Sequence, residues 1–153
     1  MQKLFLQSAP AGWKEGLELL TNDLNFSLEQ DGLPLTAETG ASTIIQFDGK
    51  TVSIACHEKV HFYRAIALLL RELPKGQPFT LEESAAFETD GTMFDCSRNA
   101  VLRPETVKFL LRKMACMGLN AAMLYTEDTY EVPGYPYFGY MRGAYTAEEI
   151  QEL

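Results

Sequence analysis

The sequence predicts two units of different class. Residues 1–90 read as an α+β N-terminal domain, an open sheet backed by two helices. Residues 91–153 read as an incomplete β-α-β-α repeat, the opening of an open parallel sheet or of a (β/α)8 TIM barrel. Three observations carry this. Two β-prone runs flank Asp48-Gly49, a turn dipeptide. Phe62, Ile66, Leu69, Leu70 and Leu73 recur with helical period. Two short apolar runs, ending at Asp95 and Tyr125, are separated by one amphipathic helix and finish on polar residues.

Taken in order, residues 3–6 predict a short strand. Pro10 then opens a helix through residue 24, with Trp13, Leu17, Leu20 and Leu24 on one face. Residues 26–29 predict a second strand. Asp31-Gly32-Leu33-Pro34 is loop chemistry, and residues 33–40 are expected to remain irregular. Residues 43–47 and 50–56 predict a hairpin closed tightly by Asp48-Gly49, which suits positive φ angles. A helix over residues 58–73 follows, with Arg64 and Arg71 away from its apolar face, and Pro74-Lys75-Gly76 stops it. Residues 79–87 read as extended.

In the second segment, Gly91-Thr92-Met93-Phe94-Asp95 is a strand ending in a carboxylate, with Ser97 and Arg98 behind it. Strand tips of this kind hold ligands in α/β barrels and open parallel sheets. Asp95 and Arg98 fit equally well as an ion pair that stiffens a loop. Pro104 occupies a first helical position, Val107, Leu110, Leu111 and Met114 form a stripe, and Gly118 is a natural C-cap. Residues 120–125 predict a strand buried on both faces, ending in Thr126, Glu127 and Asp128. Thr146-Ala147-Glu148-Glu149 is a capping box that announces another helix. Two β/α units close nothing and a barrel takes eight, so the chain is expected to stop in mid-fold. A barrel fragment should expose the apolar faces of Met93, Phe94 and residues 122–124, which predicts self-association or a disordered second half.

Composition narrows the function classes. Thirteen Lys and Arg against 21 Asp and Glu give a net charge of −8, and no basic stripe exists, so nucleic acid is not an expected partner. No apolar run approaches the ~20 residues of a membrane span. Residues 1–10 lack a basic, apolar leader, and Cys56, Cys96 and Cys116 are odd in number and lie among apolar residues. Reduced thiols in a cytoplasmic protein are therefore expected.

His57-Glu58-Lys59-Val60-His61 matches H-E-x-x-H. On a helix its imidazoles would lie one turn apart and could share zinc, with Glu58 as general base. Against this, these are the chain's only histidines, the motif sits at a helix entrance, and Lys59 puts a cation beside the metal. A first-turn Glu58 favouring the helix dipole, with His61 beside Ala65 and Leu68, needs no metal. No metal is expected there. Residues 130–145 hold six aromatic rings among prolines and glycines. A loop so long is usually functional, and tyrosine suits sugar rings as well as any other interface.

Gly91 to Asn99, the helix from Pro104, Gly118-Leu119-Asn120 leading into Leu124-Tyr125-Thr126-Glu127-Asp128, and Arg142-Gly143-Ala144-Tyr145-Thr146 occur in that order. Together they resemble the opening of the catalytic barrel of glycoside hydrolase family 20, the β-N-acetylhexosaminidases. The resemblance implies a zincin-like, non-catalytic N-terminal domain over residues 1–90 and a barrel beginning at 91. It implies removal of terminal β-linked N-acetylglucosamine or N-acetylgalactosamine with retention, the substrate's acetamido group acting as nucleophile and no cofactor taking part. Arg98 matches the arginine that contacts ring hydroxyls of the terminal sugar, and a planar guanidinium can hold two of them. Asp95, Glu127, Asp128 and Tyr130 are possible supporting residues. The family's catalytic aspartate–glutamate pair is expected beyond Leu153, so residues 1–153 alone should not hydrolyse glycosides and should require the rest of the barrel.

Three departures accompany the match. Glu127 replaces the usual first aspartate of the second strand's ending, Asn99 stands where many members have histidine, and the tyrosine-rich loop replaces a Gln-Gly-Trp pattern. Two readings from other classes compete: a non-enzymatic α/β interaction module, stable and monomeric, and a zinc peptidase built on His57, Glu58 and His61.

Overall fold

A computed structural model describes residues 1–98 and 100–153; the departure noted at Asn99 lies outside the described residues. The chain divides into two compact units, Met1–Glu88 with Arg112–Leu119, and Thr89–Leu111 with Asn120–Leu153.

The first unit is a six-stranded mixed sheet. Its strands are β1 (Gln2–Ser8), β2 (Phe26–Leu28), β3 (Leu33–Thr39), β4 (Thr43–Phe47), β5 (Val52–Cys56) and β6 (Phe79–Glu83), in the spatial order β2-β1-β3-β5-β4-β6. β1, β2, β3 and β5 run parallel, while β4 pairs antiparallel with β5 and β6. Helices α1 (Trp13–Leu19), α2 (Thr21–Leu24) and α3 (Lys59–Glu72) complete it. Alternation along the strands decides which side is core. Val52 and Ile54 are buried and Ser53 between them is exposed; Leu35 and Ala37 are buried around a half-buried Thr36. These chains join Leu4, Ile45, Trp13, Leu17, Phe62, Ile66 and Leu69 in one cluster, where the Trp13 and Phe62 rings lie 5.1 Å apart. A β-carbon on Gly16 would fall on the Tyr63 phenol, so α1 meets α3 closely only because that position has no side chain.

In this unit several expectations need correction. Residues 33–40 are not irregular: β3 is an interior strand, paired with β1 and β5. Pro34 is the second residue of β3, in register with Phe5 of β1 and one residue before the ladder to β5 begins at Leu35, near the strand's start where proline is tolerated. The helix expected over residues 10–24 is two helices. The Thr21 hydroxyl donates to the Glu18 carbonyl at 2.9 Å, and Asn25, at φ 54°, ends the second. The hairpin does not close on Asp48-Gly49 alone, because Phe47 pairs with Val52 and residues 48–51 all form the connection. There the Asp48 carboxylate accepts from the Lys50 and Thr51 N–H groups at 2.8 and 2.7 Å, and Gly49 supplies a φ of 96°.

Residues 112–119 belong to this unit. Arg112 and Lys113 grip Asp23 at 2.6 and 2.9 Å, and Cys116 joins the core cluster. Burial works to raise the Asp23 pKa, but the two cations outweigh it and hold the carboxyl below its ordinary range.

In the second unit β7 (Gly91–Asp95) and β8 (Ala121–Tyr125) are parallel and in register from Gly91↔Ala121 to Asp95↔Tyr125. Only glycine fits at 91, since a β-carbon there would strike the Ala121 carbonyl. Helix α4 (Pro104–Met117) ends on Gly118 at φ 84°, in the left-handed region that glycine favours. β8 is not buried on both faces as expected. With two strands in the sheet, Met93 and Met123 are cross-strand neighbours 52% and 60% exposed, while Phe94 and Leu124 on the other face are half-buried.

Helix α5 (Ala147–Gln151) carries the expected capping box. The Thr146 hydroxyl accepts from the Glu149 N–H at 3.1 Å, and the Glu149 carboxylate accepts from the Thr146 N–H at 2.9 Å. Thr146→Ala should therefore cost about 1 kcal/mol of local stability, seen as faster hydrogen exchange at the Glu149 amide.

Candidate functional site

The site is built where β7 and β8 end side by side. Parallel pairing places Asp95 against Tyr125, so whatever follows each strand emerges at the same end of the sheet. After β7 the chain turns sharply. One Asp95 oxygen accepts from the N–H groups of Ser97 and Arg98 at 3.0 and 3.1 Å, and the other accepts from Arg98 Nε at 2.6 Å. The two backbone donors first, and then the guanidinium, hold the Asp95 carboxyl below its ordinary pKa of 3.8.

Arg98 is thus pre-set by its own neighbour. The bond uses Nε rather than the terminal amino pair, the side chain is 67% exposed, and its guanidinium carbon lies 5.5 Å from the centroid of the Tyr125 ring. An arginine oriented from one edge by a carboxylate and from one face by an aromatic ring presents its outer fork in a narrow range of directions. Such a fork suits two neighbouring hydroxyl oxygens or a carboxylate.

After β8, Glu127 sits at φ 49°, a left-handed conformation uncommon outside glycine, asparagine and aspartate. Its carboxylate accepts from the Ser97 hydroxyl and, at 3.0 Å, from the Tyr125 hydroxyl. These two donors, Ser97 first, lower its pKa, and the same bond raises that of Tyr125. Asp128 is paired with Arg142 at 2.5 Å, and Arg142 also donates to the Ser97 carbonyl. Beneath the tip, Tyr145 is buried with its hydroxyl 3.5 Å from the Cys96 sulfur. Burial, and then that thiol, push the Tyr145 hydroxyl well above its ordinary pKa.

The structure therefore gathers Asp95, Arg98, Glu127 and Asp128 around one pair of strand ends. Tyr130 is half in solvent, with its ring against Phe138 at 5.3 Å and its backbone bridged to Tyr145. Sequence reasoning missed Arg142 and Tyr125 as partners in this network. The Asp95–Arg98 spacing of three was legible; the Ser97–Glu127 and Arg142–Ser97 bonds join residues 30 and 45 positions apart and left no local signal.

His57, Glu58 and His61 lie elsewhere, lining a cleft of ≈ 320 Å³ with Thr43, Glu83 and Phe87. Glu58 is the extended residue just before α3 and His57 precedes it, so the two imidazoles do not ride one turn apart on a helix. Among the described residues no group of three or more His, Cys, Asp or Glu is arranged to hold a metal ion. All three cysteines are buried free thiols, and burial pushes the Cys56 thiol up to about 12, which leaves it protonated and unreactive. No helix among the described residues is long and apolar enough to cross a membrane.

A pH experiment tests the geometry at the tip. Because the folded Asp95 pKa is depressed, its contribution to stability is present above the unfolded value of 3.8 and is lost as pH falls through the folded value. Carboxyl NMR titration should place the Asp95 midpoint below 3.8, with the Ser97 and Arg98 amide signals moving on the same curve. A midpoint at or above 3.8 would remove the turn described here.

No family model matches the sequence, and no curated protein sequence matches it. Solved structures do. The exo-β-N-acetylglucosaminidase of Vibrio harveyi, a GH20 enzyme solved with N-acetylglucosamine, has a TM-score of 0.76 at 18% identity over 99% of this chain and 30% of its own. The β-N-acetylhexosaminidase of Bacteroides fragilis gives 0.72 at 15% identity over 99% and 37%. That of Streptomyces plicatus, in complex with Thio-NAglucal, gives 0.73 at 15% identity over 99% and 38%. The likeness is one of fold: an α+β architecture with a mixed sheet, shared with GH20 enzymes. The chain spans about a third of the length of these neighbours.

Proposed function

We propose that this chain supplies the N-terminal α+β domain, residues 1–90, and the first two β/α units, residues 91–153, of an exo-acting β-N-acetylhexosaminidase. The N-terminal domain is read as the zincin-like, non-catalytic module of that family. The β-α-β-α unit is read as the start of a TIM barrel whose acid/base glutamate and acetamido-orienting aspartate lie outside residues 1–153. Hydrolysis is read as retaining and substrate-assisted, the acetamido oxygen attacking the anomeric carbon, so the protein must position the sugar rather than furnish a nucleophile. The free, buried cysteines keep with the cytoplasmic reading.

The observation that carries the proposal is Arg98. A permanently charged, outward-facing fork stands at the end of β7, held by Asp95 and Tyr125, in a chain that follows GH20 folds over 99% of its length. In that role Arg98 takes adjacent ring hydroxyls of the terminal N-acetylhexosamine. Asp95 and Tyr125 orient it; Ser97, Glu127, Asp128 and Arg142 fix the two strand ends against each other. No observation favours the interaction module or the zinc peptidase.

The test compares residues 1–153 with a polypeptide that joins them to the remainder of a barrel, both assayed on an aryl β-N-acetylglucosaminide. Activity is expected in the longer polypeptide only. A folded longer polypeptide with no activity would sink the proposal.

A further inference from the structure

We infer that the cleft at the entrance of α3 binds a primary alkylammonium ion, a free aliphatic amine or the side chain of a lysine, through Thr43, Glu58 and His61. The cleft lies wholly within the first unit and shares no residue with the site at the ends of β7 and β8. Antiparallel pairing of β4 with β6 sets Thr43 against Glu83, so the start of one strand and the end of the other form one wall. Glu58 and His61, from the start of α3, form another.

The observation that carries the inference is Thr43. It is 6% exposed and lines the cleft, and no hydrogen bond reaches its hydroxyl among the described residues. Every side-chain nitrogen or oxygen sealed from solvent in a buried or half-buried residue has a partner among the described residues. The Thr43 hydroxyl is therefore not sealed; it opens on the cleft. A hydroxyl so placed is an acceptor that the fold itself does not use. The His61 ring likewise makes no hydrogen bond among the described residues. There the Glu58 carboxylate has only the His57 imidazole as a charged or titratable partner, at 3.8 Å, too far for a hydrogen bond.

Charge decides the ligand class. Glu58, Glu83 and Glu88 line the cleft, and among the described residues no lysine or arginine does. The Lys59 ammonium lies instead by Gly12, 3.6 Å from where a β-carbon on that glycine would stand. Arg64 donates to both Glu83 oxygens, at 3.1 and 2.9 Å, and holds that carboxyl below its ordinary pKa, so it stays ionised. Anions are repelled. The positive end of α3 works against a cation, but as a partial charge it yields to the carboxylates. A metal ion does not fit, because among the described residues these groups are not arranged to hold one. An ammonium head has three donors; a hydroxyl, an unprotonated imidazole nitrogen and a carboxylate are three acceptors. Phe87, 70% exposed, with Ala85 and Ala86 gives the methylenes an apolar wall, and ≈ 320 Å³ holds a chain of about five carbons.

Pentylamine, 1-pentanol and N-acetyl-lysine N-methylamide should be titrated separately into the 153-residue chain at constant ionic strength, with amide NMR shifts as the readout. Pentylamine is expected to saturate, with shifts centred on Thr43, Glu58 and His61. It should bind at least about tenfold more tightly than pentanol, which keeps the chain and lacks the charge. Glu58→Gln should weaken pentylamine by about tenfold. Thr43→Val, which keeps the branched shape in the strand, should weaken it by about threefold, with the folded spectrum unchanged in both variants. A lysine derivative that binds as tightly as pentylamine assigns the cation to a lysine side chain, and one that binds more weakly assigns it to a free amine; both uphold the inference. Equal responses to amine and alcohol, shifts spread over the acidic surface without saturation, or pentylamine binding unchanged in both variants would overturn it.

Discussion

Replacing Arg98 with alanine should lower kcat/KM for an aryl β-N-acetylglucosaminide by about 10²- to 10³-fold in the barrel-completed polypeptide. Each hydrogen bond from a charged donor is worth ~1.5–3 kcal/mol, and ~1.4 kcal/mol is one decade of rate. Two such bonds to adjacent ring hydroxyls account for the range. The fold should be indifferent, since Arg98 is exposed and Asp95 keeps its two backbone donors. Arg98→Lys should recover little, because an ammonium group retains the charge but cannot span two oxygens in one plane. Steady-state kinetics with a parallel thermal melt would check this. A loss of activity matched by a loss of stability, or a change under about fivefold, would count against Arg98 as a sugar ligand.

Phe62→Ala should cost ~3–5 kcal/mol of folding stability, among the largest effects expected from a single truncation in the first unit. Phe62 is completely buried and its ring packs on both Trp13 and Tyr63. Domains hold ~5–15 kcal/mol in total, so the variant should unfold at markedly lower urea concentration. Ser53→Ala, on the exposed side of β5, provides the contrast and should stay within about 0.5 kcal/mol of the parent. Similar urea midpoints for Phe62→Ala and the parent would mean that α3 does not close the core as described.

What could be read in advance follows a physical line. Signals local in sequence were legible: the periodic face of α3, the capping box at Thr146, the glycine after α4 and the carboxylate–arginine spacing at the end of β7. Interactions that depend on a distant partner were not. β3 does alternate, with Leu35 and Ala37 inward and Thr36 and Glu38 outward, yet Gly32 and Pro34 mask it, and the ladder to β5 begins only after the proline. The break between α1 and α2 depends on a hydroxyl turning back to a carbonyl, a choice Thr21 makes in context. Asp48-Gly49 marked the right place for a reversal, but the Asp48 carboxylate recruits two further residues into it. At the site, the residues proposed to touch sugar were visible as strand endings. The clamp formed by Arg142 had to await the fold.

The grouping of residues 112–119 with the first unit bears on how the protein can be dissected. A gene fragment ending near residue 90 would look natural from the sequence, yet it would strip the core of Cys116 and leave the Asp23 carboxylate without either of its cations. No single cleavage point separates the two units, because the chain leaves the first, returns to it for part of α4 and departs again. Expression trials should therefore keep residues 112–119 together with residues 1–88, and a protease nick between residues 89 and 111 should leave its two products bound to each other.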